Sequence, residues 1–306
     1  LQFQLDTTLS DLERFPLRLN DLVVMEIKDH APEKIVWSSG AEYRISDLPA
    51  VGFSGDYYHR PAFLHGDWLE FQGCVMHIDP SGKGADETAY AIVAHLNGNL
   101  FVLEVGSFRE GYTENVLEGL AQAAKRQKVK LILLEDQFGQ GMLASLLQPY
   151  LRNIYPCTIE PTRSNVQKER RIINALEPVL NQHRLIMNRS VIEIDSKARE
   201  NDPVEKALAY QLFHQLTHIT VDKNCLQHDD RLDALAGAVE YWNESLAIDE
   251  DRAIKERESE LWDLELAAYK GEIEGALDAK ILGIPLDQLQ RTGRTGEGWF
   301  SLAGKH

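Results

Sequence analysis

The run Gly73-Cys74-Val75-Met76-His77-Ile78-Asp79-Pro80-Ser81-Gly82-Lys83-Gly84 decides the fold: an apolar strand stops on an acid and opens into a glycine loop. Bounded by turn formers, Cys74 to Ile78 reads as a buried strand. Two more apolar runs follow, Ala89 to Leu96 and Leu100 to Val105, and Asn97-Gly98-Asn99 between them carries a hairpin signal. Glu114 to Gln127 then places Val116, Leu117, Leu120, Ala121 and Ala124 at helical spacing. Lys130 to Leu134 is a strand running into Glu135-Asp136, and Gly139 and Gly141 open a helix through Leu151. Ile154 to Ile159 reads as a strand, Val166 to Gln182 as a helix, and Val204 to Leu216 as another helix. Asp229 to Trp242 has one apolar face, formed by Leu232, Leu235, Ala236, Val239 and Trp242. This order predicts an α/β fold whose mixed sheet, antiparallel first and parallel later, is flanked by helices.

Outward from that segment, the composition is that of an ordinary globular chain. Its 306 residues are 43% hydrophobic and 26% charged, enough for a full core and against disorder or a fibrous repeat. No uncharged apolar run of about 18 residues occurs and no basic-then-apolar leader opens the chain, so a soluble, non-secreted protein is expected. Cys74, Cys157 and Cys225 lie far apart with no CxxC pair, which excludes a zinc knuckle or disulfide framework and fits a reducing cytoplasm.

The net charge of −16 argues against a uniformly basic nucleic-acid surface. Charge is uneven, however: acid loads the stretch from Asp249-Glu250-Asp251 to Glu265, whereas Arg163 to Arg171 is locally basic. Carboxylates clustered around divalent cations would also carry less charge when loaded. Residues 1–65 hold short apolar pieces between Pro16, Pro32, Pro49 and Pro61, and read as a linker or the end of another domain. Residues 66–245 read as the main domain, and 246–306 as an acidic helical appendage with a Gly-, Arg- and Thr-rich tail. The start at Leu1 fits a chain that begins inside a longer protein.

Three acidic clusters carry the chemistry. Asp79, at a strand end beside a glycine loop, can reach a metal and leave room for a phosphate, although Asp-Pro-Ser-Gly is also a common capped turn. Of Glu135 and Asp136, strand alternation puts only one on the side of Asp79, and Glu135 is the choice. In His228-Asp229-Asp230-Arg231-Leu232-Asp233, Asp230 and Asp233 share a helical face in a first turn. Helix capping accounts for part of this. Asp233 also borders an apolar face, and an acid at a core edge needs a partner, a role that a cation fills.

Two strand ends and one helix thus offer hard oxygen ligands, which suit Mg²⁺ or Mn²⁺. Two such ions would serve in-line phosphodiester hydrolysis, one activating water and the other neutralising the leaving 3′ oxygen. Asp79, Glu135, Asp230 and Asp233 form the expected catalytic set, with Asp229 as a further metal ligand. Lys83, Arg163, Lys168, Arg170 and Arg171 are expected to grip DNA phosphates without reading sequence; a solvated helix face is the other reading of the basic run. His77 reads as a core or hydrogen-bonded histidine, and His228 as a proton shuttle or helix cap.

Four segments in order, His77 to Tyr90, Glu104 to Tyr112, Glu135 to Met142 and His228 to Leu235, resemble the nuclease domain of the large terminase subunit of tailed bacteriophages, particularly the short-tailed branch. The resemblance runs from about residue 65 to 245. It implies a ribonuclease H-like fold and two-metal cleavage of concatemeric double-stranded phage DNA. Asp79 and Glu135 match the first two metal-binding acids, and the third falls within Asp229, Asp230 and Asp233. It also implies the portal protein and small terminase subunit as partners, the host cytoplasm and the procapsid portal as location, and no membrane. No GxxxxGK[ST] phosphate loop occurs, so the family's ATPase is expected to lie in a domain absent from this chain. The tail from Arg291 to Phe300, with Trp299 and Phe300 as aromatic anchors, is expected to dock on the portal. The competing expectations are another ribonuclease H-like enzyme of the junction-resolvase or transposase type, and a non-catalytic portal-docking module.

Overall fold

The computed structural model describes residues 14–81, 87–135 and 141–281. The chain divides into one compact unit through Glu244 and a second from Ser245. Among the described residues the strands are β1 (Val23–Met25), β2 (His30–Val36), β3 (Arg44–Ile45), β4 (Tyr58–His59), β5 (Phe63–Glu70), β6 (Gly73–Asp79), β7 (Thr88–Leu96), β8 (Asn99–Phe108), β9 (Leu131–Glu135), β10 (Thr158–Thr162) and β11 (Leu185–Asn188). The helices are α1 (Glu114–Arg126), α2 (Met142–Ile154), α3 (Lys168–Asn181), α4 (Arg189–Ser196), α5 (Val204–Leu208), α6 (Leu212–His218) and α7 (Asp230–Ile281). No helix among these residues is long and apolar enough to cross a membrane.

Nine strands make one sheet in the order β10-β9-β6-β7-β8-β11-β1-β4-β3, and β2 pairs with β5 in a separate ribbon. β7 runs antiparallel between β6 and β8, whereas β9, β10, β11 and β1 join in parallel. This is the expected mixed sheet flanked by helices. The β7–β8 hairpin turns on Asn97 and Gly98, both at positive φ (50° and 79°), the backbone that a two-residue type I′ turn requires. One face of the sheet, with Cys74, Met76 and Ile78 of β6, buries the apolar stripes of α1 and α2, including Leu120 and Leu147. The alternate residues Val75, His77 and Asp79 point to the other face.

That second face is set by a close approach. A Cβ on Gly237 of α7 would overlap the His77 imidazole, and a Cβ on Gly73 would press on the Trp242 indole, whose Nε1 donates to the Val93 carbonyl at 3.0 Å. Only glycine at both positions lets the first turns of α7 lie along β6. The helix therefore carries Asp233, four residues before Gly237, to the strand end where Asp79 sits.

Several expectations are corrected. Residues 23–25, 44–45 and 58–59, within the stretch read as a linker, are strands of the main sheet, and Leu17, Leu19 and Leu22 are fully buried. Strands of two or three residues are too short to show a period. The four-residue β11, also unread, slots between β8 and β1. The single helix expected over 204–216 breaks at Gln211, because Asp195 accepts hydrogen bonds from the backbone N–H groups of Leu212 (2.9 Å) and Phe213 (3.3 Å), starting α6 afresh. The strand expected over 154–159 begins at Thr158, since α2 runs through Ile154. The second unit, described by itself, is the continuation of α7 from Ser245 to Ile281, with exposed acids such as Glu256, Glu258 and Glu260 and an exposed Trp262. Asp136, Gly139 and the tail with Trp299 and Phe300 lie outside the described residues.

Candidate metal centre

β6 and β9 are parallel neighbours paired through Ile78↔Leu134, so the next residue on each, Asp79 and Glu135, ends its strand at the same level and on the same face. Asp233 comes to meet them from the first turn of α7, whose start is fixed by the Asp233 N–H donating to the Asp229 carbonyl at 2.8 Å. One carboxylate oxygen from each of Asp79, Glu135 and Asp233 lies within 4.8 Å of the others. All three acids are buried, with Asp233 at 0% exposure.

Two cations from the first turn of α3 enter this cluster. Lys168 Nζ stands 2.9 Å from Asp233 Oδ2, 3.0 Å from Asp229 Oδ1 and 3.4 Å from Asp79 Oδ2. Arg171 pairs with Asp233, reaches Glu135 Oε1 at 3.7 Å and touches Glu240 at 3.5 Å. Burial pushes the Asp79 carboxyl well above its ordinary range; Lys168 opposes this, and Asp233, Glu135 and Asp230 add to it. Burial works against the Lys168 charge, yet Asp233, Asp79 and Asp229 outweigh it and raise the ammonium above its usual value. His77, wholly buried and faced by Arg171 and Lys168, is pushed down to about 3, so it is a neutral packing residue. Asp79, Glu135, Asp229 and Asp233 outnumber Lys168 and Arg171, so the pocket holds more carboxylates than these two cations balance. Three hard oxygen donors of this kind fit Mg²⁺ or Mn²⁺.

Residues 78–185 match the family described as Terminase Bacteriophage T7, Ribonuclease H-like domain. The large terminase subunit of Enterobacteria phage T3 is 37% identical over 250 residues, covering 81% of this chain and 43% of that protein. The chain carries a terminase ribonuclease H-like domain. It spans 43% of the length of the T3 relative. Among solved structures, the Mn-soaked human cytomegalovirus terminase nuclease domain aligns with a TM-score of 0.41 at 12% identity, over 58% of this chain and 86% of that one. The large terminase nuclease of thermophilic phage G20c aligns at 0.40 and 9% identity, over 74% and 97%.

Within this terminase domain the residues singled out from sequence divide into three groups. Asp79, Glu135 and Asp233 converge, and Lys168, partly exposed, and the buried Arg171 join them as ion-pair partners. Asp229 and Asp230 flank the cluster: Asp229 holds Lys168, and Asp230 Oδ2 accepts the Glu87 backbone N–H at 3.4 Å. Arg170 and Arg163 are exposed; Arg163 follows Thr162, the β10 partner of Glu135, and lines a cavity with Gly141, Ser145 and Pro161. Lys83 lies outside the described residues. His228 stacks on Tyr210 with ring centroids 3.9 Å apart.

A second buried ion cluster beside the first escaped the sequence reading. Glu87, just before β7, receives Arg231 at 3.1 Å, Arg109 at 3.4 Å and Arg199 at 3.8 Å. Arg231 also donates to Asp195 at 3.0 Å and to the Ser107 hydroxyl at 2.9 Å. Its one sequence signal is an acid placed directly before a strand that is almost wholly buried.

Proposed function

We propose that this chain is a metal-dependent endonuclease that cuts concatemeric double-stranded phage DNA during genome packaging. The observation that carries the reading is the convergence of three buried carboxylates, from two parallel strand ends and one helix, in a terminase ribonuclease H-like domain. Asp79, Glu135 and Asp233 would hold divalent Mg²⁺ or Mn²⁺, with Asp230 and Asp229 as the further oxygen donors of a two-ion site. Bound there, such ions activate water and neutralise the leaving oxygen. Lys168 and Arg171 keep the acids together: each cation spans carboxylates from different elements, so the cluster is organised before any ion arrives. His77 and Gly237 fix the spacing between β6 and α7, and thereby the separation of Asp79 from Asp233.

The nuclease domain would be the compact unit through Glu244, including the short strands before residue 66, with residues 246–306 forming an appendage. Portal and small subunit would be the partners, and the host cytoplasm at the procapsid portal the place of action. The test is nicking of supercoiled plasmid in Mn²⁺. The wild-type chain should cut linear and supercoiled duplex, EDTA should stop it, and Asp79→Ala should lower the rate at least ~100-fold while the fold persists. Loss of an outer partner of a ligand already costs about 10–100-fold, and Asp79 is placed as a ligand itself. Cutting by Asp79→Ala with unchanged metal dependence removes the site assignment, and cutting confined to branched DNA favours a resolvase instead.

A further inference from the structure

Of the described basic residues chosen from sequence as the DNA grip, Lys168 and Arg171 are paired with the acid cluster, which leaves open how a phosphate backbone would be held beside Asp230. The Glu87 cluster answers this in chemical terms. Arg231 is spent: its guanidinium is divided among Glu87 Oε2, Asp195 Oδ1 and the Ser107 hydroxyl. Arg109 and Arg199 are not. Both converge on the same two oxygens, Glu87 Oε1 at 3.4 and 3.8 Å and Asp202 Oδ2 at 3.6 and 3.3 Å. Glu87 gives Oε2 to Arg231 and Oε1 to both of them, so the anion that belongs to these two guanidinium groups alone is Asp202, a carboxylate on the turn that Arg199 itself begins.

Arg199 is held for a task other than solvation. It lies in left-handed backbone (φ 61°), its side chain is 9% exposed, and its guanidinium packs 3.2 Å over the Tyr210 ring. Its buried Nη1 has no hydrogen-bond partner among the described residues, although a guanidinium presents five N–H donors. Arg109, half exposed, closes the other side. The Glu87 main chain touches Asp230, so this pair lies against the flank of the acid cluster.

On the reading of the chain as a duplex-cutting enzyme, we infer that Arg109 and Arg199 form a fork for a DNA backbone phosphate, and that the Asp202 carboxylate occupies that place until the phosphate exchanges with it. Two guanidinium groups present parallel N–H donors to an anion's oxygens, and the contact is independent of base sequence. Asp202 is a partly exposed acid on a short turn, able to withdraw without disturbing the buried Glu87–Arg231 pair.

The experiment is fluorescence anisotropy of a labelled blunt duplex, titrated with the whole chain in Ca²⁺ over a range of salt, the duplex being checked intact by gel and each variant by its melting curve. Arg109→Gln should weaken binding several-fold and lower the slope of log affinity against log salt by about 1, the loss of one phosphate contact. Arg109→Lys should restore part of it. Asp202→Asn should act in the opposite direction and tighten binding, whereas a purely structural ion pair predicts no gain. Arg109→Gln with wild-type affinity and salt slope, or Asp202→Asn that binds more weakly, overturns the fork. A wild-type chain that binds no duplex overturns the fork together with the nuclease reading.

Discussion

Two adjacent residues of α7, Asp230 and Arg231, stand at the boundary between two buried ion clusters of different character. On one side Asp79, Glu135, Asp229 and Asp233 face Lys168 and Arg171, so carboxylates outnumber cations. On the other, Glu87, Asp195 and Asp202 face Arg109, Arg199 and Arg231, so the charges match one for one. Both clusters sit at the ends of neighbouring strands, and the acid at the centre of each, Asp233 and Glu87, is buried, where an unbalanced charge costs most. The difference is the balance: the first has more carboxylates than cations and is completed by added positive charge, whereas the second is matched and takes a new anion only in exchange for the partly exposed Asp202. A phosphodiester flanked by divalent cations supplies both, and the Glu87–Asp230 hydrogen bond joins the two requirements in one surface.

The comparison breaks most visibly at its two anions. Glu87→Gln removes the common partner of three arginines, and withdrawing one member of a buried ion pair typically costs about 3–5 kcal/mol. At roughly 2–4 °C per kcal/mol for a domain of this size, the melting temperature should fall by about 10 °C. A drop of less than ~2 °C would show that Arg231 and Arg199 find other partners and that Glu87 is no hub. The next effect is steric. Gly237→Ala drives a methyl group into the buried His77 ring, an overpacking that costs about 1–3 kcal/mol. Relief by shifting α7 would carry Asp233 away from Asp79, so Mn²⁺ affinity should fall along with the melting temperature. Loss of stability with unchanged Mn²⁺ binding would detach the helix position from the acid cluster.

How much of this was legible follows from the residues themselves. Asp79 and Glu135 end apolar runs, and parallel pairing of those runs sets them side by side, so an acid at a strand end was a signal that survived folding. Asp233 was readable as an acid on a core-facing stripe. Lys168 and Arg171 carried an ambiguous signal: in sequence a basic run reads as a phosphate surface or a solvated face, and only the fold shows these two paired with the acids while Arg170 is exposed. Glu87, Arg109 and Arg199 lie far apart in sequence and share no motif, so their meeting depends on the loop before β7, the end of β8 and the turn after α4 arriving together. The short strands β1, β3, β4 and β11 were hidden for a different reason, since two to four residues carry no periodicity and their pairing is decided by the sheet they join.

The smallest expected effect tests the contrast by its sign. Asp79 is a carboxyl whose folded-state pKa is raised above the ordinary 3.8, chiefly by burial and then by its acidic neighbours. The metal-free fold therefore holds this proton more tightly than the unfolded chain does. Stability is unaffected well below 3.8, where both states are protonated, and is lost as pH rises from there through the raised value. Asp79→Asn removes the titration, keeps the volume and leaves Lys168 with Asp229 and Asp233. Without metal at neutral pH it should melt higher than the wild type, by on the order of 1 kcal/mol or roughly 2–4 °C, and the gap should close on acidification. Saturating Mn²⁺ should reverse the order, because only the wild-type chain then gains stability from binding. An isosteric change in one cluster thus stabilises where the same kind of change at Glu87 destabilises. Equal losses at both positions in differential scanning calorimetry, with and without Mn²⁺, would mean that the two clusters are ordinary structural ion pairs and that their different charge balance has no bearing on function.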